Sequence, residues 1–308
     1  MKRLAGTALR AAVSLAILAF VLSRVSLDAL FARARGAAWP ELALVGGLFV
    51  AMALLVALRW RLLAGWLGLA LPGRLTVRAV FVGLFAGQML PSSIGSDVVR
   101  GWMVARQTGR AGLVAASLVA DRLIGFCGVS LLLALAYGFF VHEDEALPGI
   151  VVASAALGAT LAVLALLAGA AGRLPALRRL AMRLFRPLGG VQAIARPQRL
   201  VFALAVAFAI HAAVTLAAAL SAAAYGIDAS PRAWLAIVPV TVLATALPIS
   251  INGWGVREGV MVALAAGQGI APADALLVSV TLGAGNVIGS LPGAYLALRS
   301  PREAGRST

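Results

Sequence analysis

Two short segments of the sequence share one pattern and are the first candidates for chemistry. Residues 91–100 and 248–257 both read Pro-x-Ser-Ile-x4-Val-Arg and align without a gap at a constant offset of 157 residues. Proline removes a helix donor, and the glycines and serines favour an interruption, so each segment predicts a helix that breaks and restarts. The restarted N-terminus carries roughly half a positive charge and unpaired N–H groups. Arg100 and Arg257 follow about one turn later, each with a planar fork that suits phosphate. The pattern therefore predicts a two-sided anion site.

The candidate site extends beyond these two arginines. The predicted substrate-binding residues are Arg100, Arg257, Arg122, Ser93, Ser250, Asn252, Gly95 and Gly253. The residues predicted to pair with the arginines, or to couple to a proton or cation, are Asp97, Asp121 and Glu258. Ser96 or Asn252 is expected to cap a restarted helix. Two alternatives stay open: Arg100 is an interfacial anchor, or Arg257 and Glu258 form a purely structural pair.

Asp121 and Arg122 are adjacent charges inside an apolar stretch. A helix that starts at Ala111 carries them ~15 Å along its axis. A charge at the bilayer centre costs ~2.5–3.5 kcal/mol on insertion scales, so such residues face protein or water. They are predicted either to line the path of the anion or to brace the broken helices.

The composition predicts that membrane helices position these residues. The chain has 308 residues, of which 62% are hydrophobic and 12% charged, and its mean hydropathy is +1.00. Soluble domains carry about 25% charged residues, and several uncharged runs reach the ~20 residues that cross a ~30 Å hydrocarbon layer. The sequence therefore predicts an all-α polytopic membrane protein. The net charge of +15 does not indicate a nucleic-acid partner, because the arginines are clustered between apolar spans.

The distribution of lysine and arginine predicts the topology. The predicted loops on one side hold 20 of these residues, Arg59 among them, and those on the other side hold four. Because positive loops face the cytoplasm, both termini are predicted to be cytoplasmic in a bacterial inner membrane. The six predicted full spans are about 9–25, 39–58, 112–140, 148–171, 200–224 and 274–298. Residues 76–106 and 233–267 are predicted to be re-entrant hairpins that open to the cytoplasm and the periplasm, respectively.

The chain is predicted to be a single integral membrane domain, 1–308, built from two repeats of inverted topology. The repeats cover about 1–141 and 146–300, and each contains two spans, a hairpin and a further span. This arrangement is typical of secondary transporters. In the last span, glycines recur every four residues and predict a packing face within the monomer; they are Gly285, Gly289 and Gly293.

Rare residue types exclude other classes of protein. Cys127 is the only cysteine, which excludes an intrachain disulfide and a cysteine-based metal cluster. The two histidines, His142 and His211, are too few for a zinc signature, and His211 is expected to be packed and hydrogen-bonded. Lys2 is the only lysine, so a Walker A ATPase is excluded. No cofactor is predicted.

The two break segments resemble the signatures of a known family. Residues 90–100 (Leu-Pro-Ser-Ser-Ile-Gly-Ser-Asp-Val-Val-Arg) and 247–258 (Leu-Pro-Ile-Ser-Ile-Asn-Gly-Trp-Gly-Val-Arg-Glu) resemble those of the lysylphosphatidylglycerol synthase transmembrane family, also called flippase-like. The family often has Gly-Gly-Asp in the first signature, where this chain has Gly-Ser-Asp. The resemblance implies movement of lipids across the membrane: aminoacylated phosphatidylglycerol in bifunctional members, polyprenyl-phosphate-linked sugars or hopanoid-type lipids in others. The bifunctional synthases add a soluble aminoacyl-transferase domain after the membrane part, and this chain, which ends soon after its last predicted span, is not expected to be the synthase.

The sequence leaves three candidate functions. The leading hypothesis is a flippase, not an enzyme, that moves an anionic, phosphate-bearing lipid or lipid-linked headgroup, such as a polyprenyl-phosphate-linked substrate, across the inner membrane. The second is a membrane-embedded transferase acting on lipid phosphates, for which Asp97, Asp121 and Glu258 are the available acids or bases. The third is a non-catalytic accessory subunit that associates with enzymes of envelope-lipid biosynthesis.

Overall fold

The structure, a computed structural model, describes residues 2–23, 25, 27–90, 94–139, 196–247 and 250–299, together with residues 156, 159, 160, 163 and 194. All regular secondary structure in these residues is helical, which confirms the all-α prediction for this part of the chain. The helices are α1 (Lys2–Ser23), α2 (Leu27–Arg35), α3 (Trp39–Trp66), α4 (Gly73–Met89), α5 (Gly95–Thr108), α6 (Ala111–Phe139), α7 (Pro197–Ala224), α8 (Pro231–Thr245), α9 (Val256–Ala266) and α10 (Pro272–Leu298).

Four of these helices are long and apolar enough to cross a membrane. They are α3, α6, α7 and α10, with spanning segments of 27 or 28 residues. They correspond to the predicted spans 39–58, 112–140, 200–224 and 274–298. The span predicted over 9–25 falls on α1, whose described apolar part, Ser14–Ser23, is shorter. The span predicted over 148–171 lies almost wholly outside the described residues.

The first predicted break separates α4 from α5. Helix α4 ends at Met89 and α5 begins at Gly95, and the two helices pack against each other. A Cβ atom added to Gly83 would lie 2.7 Å from the backbone oxygen of Ser96, and one added to Gly87 would lie 3.1 Å from the Ser96 Cβ. The glycines on α4 therefore allow the backbone of α5 to pack directly against the backbone of α4. This close packing brings the polar start of α5 into the protein.

The second predicted break separates α8 from α9, which also pack against each other. The connection turns sharply: Asn252 has φ 49°, and Gly253 and Gly255 have φ 82° and 85°. Only glycine adopts such values at low cost, and asparagine tolerates the left-handed region better than most residues. A Cβ atom on Gly255 would also lie 2.6 Å from the backbone oxygen of Ser14 in α1, so this turn requires glycine for space as well.

The expected helix caps were wrong. Ile94 precedes α5 without a side-chain cap, and Ser96 lies inside the first turn of that helix. At α9 the capping position is Gly255, not Asn252, and its N–H donates to Glu258 Oε2 at 2.6 Å. A carboxylate in the first turn thus satisfies one free N–H and interacts favourably with the helix dipole.

Helix α10 joins the two halves of the described structure. It packs on α3 and α4 from the first half and on α9 from the second. A Cβ atom on Gly285 or Gly289 would lie 2.5 or 2.7 Å from the Phe49 side chain, and one on Gly293 would overlap the backbone of Phe81. The predicted small-residue face is therefore confirmed as a packing face within the monomer. One apolar core surrounds Trp60 between α3, α4, α5 and α6, and another surrounds Trp234 between α7, α8, α9 and α10.

Candidate functional site

Five charged side chains from three helices form one connected network. Arg59 Nε donates to Asp121 Oδ1 at 2.7 Å, and Arg100 Nη2 donates to Asp121 Oδ2 at 2.9 Å. Arg100 Nε donates to Asp97 Oδ1 at 2.9 Å, and Arg122 Nε donates to Asp97 Oδ2 at 2.5 Å. The order along the network is therefore Arg59, Asp121, Arg100, Asp97, Arg122, with cation and carboxylate in alternation.

The local helix geometry explains this alternation. Asp97 and Arg100 are three residues apart on α5, so their side chains share one face. Asp121 lies in the first half of α6 and is 2% exposed. A buried carboxylate is costly unless it is paired and hydrogen-bonded. Arg59 from α3 and Arg100 from α5 each engage one oxygen of this carboxylate, so Asp121 ties three helices together.

The network has more positive charge than its carboxylates neutralise. Among the residues that the structure describes, three guanidinium groups face two carboxylates, which gives this network a formal charge of +1, and Arg59 and Arg100 are only 7% and 5% exposed. Arg59 Nη1 and Arg100 Nη1 are buried and have no hydrogen-bond partner in the part of the chain that the structure describes. Buried donors are normally paired, and each unpaired one costs ~1–3 kcal/mol. An anion that accepts from these atoms would supply both the missing charge and the missing acceptors.

A cavity of about 310 Å³ lies against this network. All five charged residues line it, and its opposite wall belongs to α7 and α8. Its further lining residues include Ser96, Gly125, Phe126, His211, Thr245 and Ala246. The cavity is thus open to groups from both halves of the chain, with its charges on the side of α3, α5 and α6.

One cation–π contact holds Arg100 beside the first cavity, and one histidine lines that cavity. Arg100 Cζ lies 4.7 Å from the centre of the Trp60 ring, a cation–π contact that holds the guanidinium without using its N–H groups. Trp60 is itself fixed, because its Nε1 donates to Ser117 Oγ at 3.0 Å. His211 Nε2 lies 3.1 Å from the Gly125 carbonyl oxygen, while Nδ1 is buried and has no partner among the described residues.

The second half positions Arg257 differently. Arg257 donates to Glu258 Oε1 from Nε at 3.0 Å and from Nη2 at 2.7 Å, and its Cζ lies 4.5 Å from the Trp254 ring centre. Glu258 is fully buried and also accepts from Ser279 Oγ at 3.2 Å. One guanidinium is thus matched by one carboxylate. Arg257 lines a smaller cavity of about 200 Å³, whose other lining residues include Phe49, Thr241 and Asn286.

The two cavities are neighbours. Val242 and Thr245, both on α8, line the first cavity and the second. These side chains therefore form part of the wall between Arg100 on one side and Arg257 on the other.

Comparison with known families assigns the chain. Residues 7–293 match the family model described as the lysylphosphatidylglycerol synthase TM region. The chain belongs to this family. The match confirms the resemblance drawn from the two break segments, and with the four helices of spanning length it identifies a multi-pass membrane protein. No curated protein and no solved structure matches the chain.

Several predicted site residues of this member of the lysylphosphatidylglycerol synthase transmembrane family lie together. Arg100, Arg122, Asp97 and Asp121 meet at the first cavity, and Arg257 with its partner Glu258 lies at the second. Arg257 pairs with Glu258 and also lines a cavity, so both predictions for this arginine, substrate binding and a purely structural pair, stay open.

Four predicted residues of the breaks are described by the structure, and none of them lines either cavity: Gly95, Ser250, Asn252 and Gly253. Ser250 is buried, with no partner for its Oγ among the described residues. Asn252 Nδ2 donates to Gln88 Oε1 of α4, which links the two broken segments. Gly253 provides the turn, and a Cβ on Gly95 would lie 2.7 Å from Leu90. Ser93 lies outside the described residues.

Sequence reasoning missed two residues of the site. Arg59 was placed in a cytoplasmic loop because the predicted span ended at residue 58, but α3 continues to Trp66 and buries Arg59. The signal was available, since the apolar stretch Leu62-Leu63-Ala64 follows this arginine. His211 is packed and bonded as expected, but it also lines the cavity, and a lone histidine carries no pattern that indicates this.

Proposed function

We propose that the chain is a flippase that moves an anionic, phosphate-bearing lipid or lipid-linked headgroup across the bacterial inner membrane. The observation that carries this proposal is the excess of guanidinium groups at the first cavity, where buried N–H atoms of Arg59 and Arg100 have no partner in the described structure. Arginine forks match phosphate oxygens in geometry and charge. Membership of a family described by a lipid synthase supports a lipid as the bearer of that phosphate.

The proposed topology is six full spans and two opposed re-entrant hairpins in two inverted repeats, with both termini in the cytoplasm. Helices α4 and α5 would be the first hairpin, and α8 and α9 the second. The break in each pair and the packing of its helices support this arrangement. Irregular backbone at membrane depth is tolerated only where it is buried in protein or lines a wet cavity, and the start of α5, with Asp97 and Arg100, meets that condition.

The two neighbouring cavities suggest how the headgroup moves. In the proposed cycle the phosphate first binds beside Arg100 and then reaches Arg257 as the two repeats shift against each other. Val242 and Thr245 stand between the two positions, so α8 would have to move for the transfer. Pro239, inside α8, removes one hydrogen bond of that helix and makes a bend there easier.

The charge arrangement makes the two positions unequal. The first cavity carries a surplus guanidinium, whereas Arg257 shares its charge with a fully buried Glu258. We therefore assign tighter phosphate binding to the first cavity and weaker, transient binding to the second. A site that releases its ligand readily is what the exit step of transport requires.

Purified protein in liposomes tests the proposal. The probes are fluorescent phosphatidic acid and fluorescent phosphatidylcholine with the same acyl chains, followed by chemical quenching from outside and by mass spectrometry. A flippase moves phosphatidic acid between leaflets without changing its mass and moves phosphatidylcholine much less. Arg122→Gln should slow the movement, and Arg74→Gln, which changes an exposed arginine outside the network, should not. A change in lipid mass would instead favour a transferase, and neither movement nor mass change would favour an accessory role.

A further inference from the structure

A third concave surface, which we call the apolar groove, runs along the outside of α5 and α6. It has a volume of about 470 Å³ and is lined largely by apolar side chains. Several of these are among the most exposed large apolar residues of these helices: Ile94 is 52% exposed, Val98 63%, Val119 50% and Phe126 42%. In a membrane protein, apolar side chains this exposed are expected to face hydrocarbon.

The apolar groove is continuous with the charged cavity. Asp97, Arg122, Phe126 and Ala246 line both. The ion pair between Arg122 and Asp97 therefore stands at the junction, with the charged network on one side and the apolar groove on the other.

Arg122 differs from the other arginines of the network in its exposure. Its side chain is 35% exposed, against 8% for Arg59 and 6% for Arg100. A charge that faces hydrocarbon is expensive, so a partly exposed guanidinium in an apolar groove marks a place where polar groups are expected.

These features together specify an amphiphile. A hydrocarbon chain covers the exposed apolar residues of the groove without a desolvation cost, and an anionic group at its end reaches Arg122. A free phosphate ion would leave the groove unused, and a lipid with a neutral or zwitterionic headgroup would leave the surplus charge of the network uncompensated.

We propose that the apolar groove holds the hydrocarbon chain of a lipid phosphate and that Arg122 receives its phosphate by exchanging Asp97 for it. The inference rests on the proposed function and deepens it, because it makes the junction between α5 and α6 the lateral entrance to the charged cavity. The tail stays in the groove while the headgroup passes Arg122 towards Arg100. Selection for a chain-bearing phosphate occurs at this entrance, before the buried part of the network is reached.

Photo-crosslinking of a lipid in the groove tests this inference without requiring transport. The probes are phosphatidic acid and phosphatidylcholine that carry the same diazirine in one acyl chain, and labelled positions are located by peptide mass mapping. Phosphatidic acid should label residues 115–126 about tenfold more than phosphatidylcholine, because its phosphate monoester is not offset by a cation, whereas the choline ammonium neutralises the phosphatidylcholine headgroup and is repelled by the guanidinium groups. Labelling near Val201, a 65% exposed residue on α7 outside the groove, should be equal for the two lipids.

The same arginine-to-glutamine change at two positions separates an effect of this site from a general effect of positive charge. Arg122→Gln should remove the preference of residues 115–126 for phosphatidic acid, and Arg74→Gln should leave it as in the wild type. Equal labelling by the two lipids, or a preference that survives Arg122→Gln in folded protein, would overturn the inference.

A groove-filling variant separates this inference from the proposed function. Val119→Trp adds bulk within the groove, and Val201→Trp adds the same bulk on another lipid-facing surface. In liposomes, Val119→Trp should slow phosphatidic acid movement about tenfold, the usual size of an overpacking cost, while binding of soluble glycerol 3-phosphate stays unchanged. Val201→Trp should change neither the movement nor the binding. If the wild type moves lipid and Val119→Trp moves it equally fast, the groove inference fails alone. If the wild type moves no lipid, the proposed function fails, and the crosslinking result still decides the groove.

Discussion

Replacing Asp121 by asparagine should destabilise the protein far more than the small chemical change suggests. The Asp121 carboxylate is 2% exposed and accepts from Arg59 at 2.7 Å and from Arg100 at 2.9 Å. Asparagine keeps the shape but has one acceptor oxygen, and its NH2 group would point at a guanidinium donor. The formal charge of the network would rise from +1 to +2 within a buried region.

The expected size follows from the geometry. One charge-assisted hydrogen bond is lost, worth ~1.5–3 kcal/mol. A guanidinium also remains buried without its carboxylate, and breaking a buried pair in this way typically costs ~3–5 kcal/mol in total. We expect Asp121→Asn to lower the free energy of unfolding by an amount in that upper range.

Asp274→Asn is the matched control. Asp274 pairs with Arg33 at 3.4 Å, but the Arg33 side chain is 44% exposed, and such exposed pairs contribute ~0–1 kcal/mol. Thermal unfolding in detergent, with the folded fraction measured by size-exclusion chromatography, compares the two variants against the wild type. Equal shifts for Asp121→Asn and Asp274→Asn would refute the claim that Asp121 holds three helices together.

Three further predictions concern transport, backbone strain and topology. Arg122→Ala should abolish lipid movement in liposomes with folded yield near that of the wild type, because this arginine is at the partly exposed end of the network; loss of folded protein would favour a bracing role. Gly255→Ala should destabilise the folded protein by more than the ~1–3 kcal/mol of backbone strain alone, since its Cβ would lie 2.6 Å from Ser14 O. Gly269→Ala, with φ 68° and no atom within 4 Å of the added Cβ, should show the strain only. Equal shifts of the melting temperature for the two variants would contradict this. Cysteines at positions 93 and 250, in a Cys127→Ser background, should be reached by membrane-impermeant reagents slowly and from opposite sides; labelling of both from one side would contradict the opposed hairpins.

The positions of the breaks were predictable from sequence, because proline, glycine and serine act locally. The helix interruptions after Met89 and Thr245 fall in the two segments that share the Pro-x-Ser-Ile pattern. The charged cluster was predictable for a related reason: Asp97, Arg100 and Asp121 lie in apolar surroundings, where unpaired charge is too costly to keep.

The partners of these charges were not predictable in the same way. Arg59 and Asp121 are 62 residues apart, and their bond depends on how α3 and α6 pack. A count of positive residues in loops assigned Arg59 to the cytoplasm because it treats an arginine at the end of an apolar run as a boundary. The pattern predicts a two-sided anion site with one arginine from each segment. The positions of Arg100 and Arg257 in the repeat do correspond, and each lies over a tryptophan, but their carboxylate partners come from different places in the chain.

Under the proposed function, the first cavity binds a lipid phosphate through its surplus guanidinium groups. Binding of phosphatidic acid and phosphatidylcholine to the purified protein, measured by native mass spectrometry for the wild type, Arg100→Lys, Arg100→Gln, Arg257→Gln and Arg74→Gln, tests it directly. Phosphatidic acid should bind most tightly to the wild type and to Arg74→Gln. Its affinity for Arg100→Gln should be about tenfold or more lower. Its affinity for Arg100→Lys should lie between these, because lysine keeps the charge but loses the fork. The loss for Arg257→Gln should be smaller than for Arg100→Gln, because Glu258 already neutralises Arg257. Equal binding of the two lipids by the wild type, or unchanged binding in folded Arg100→Gln and Arg257→Gln, would contradict the account.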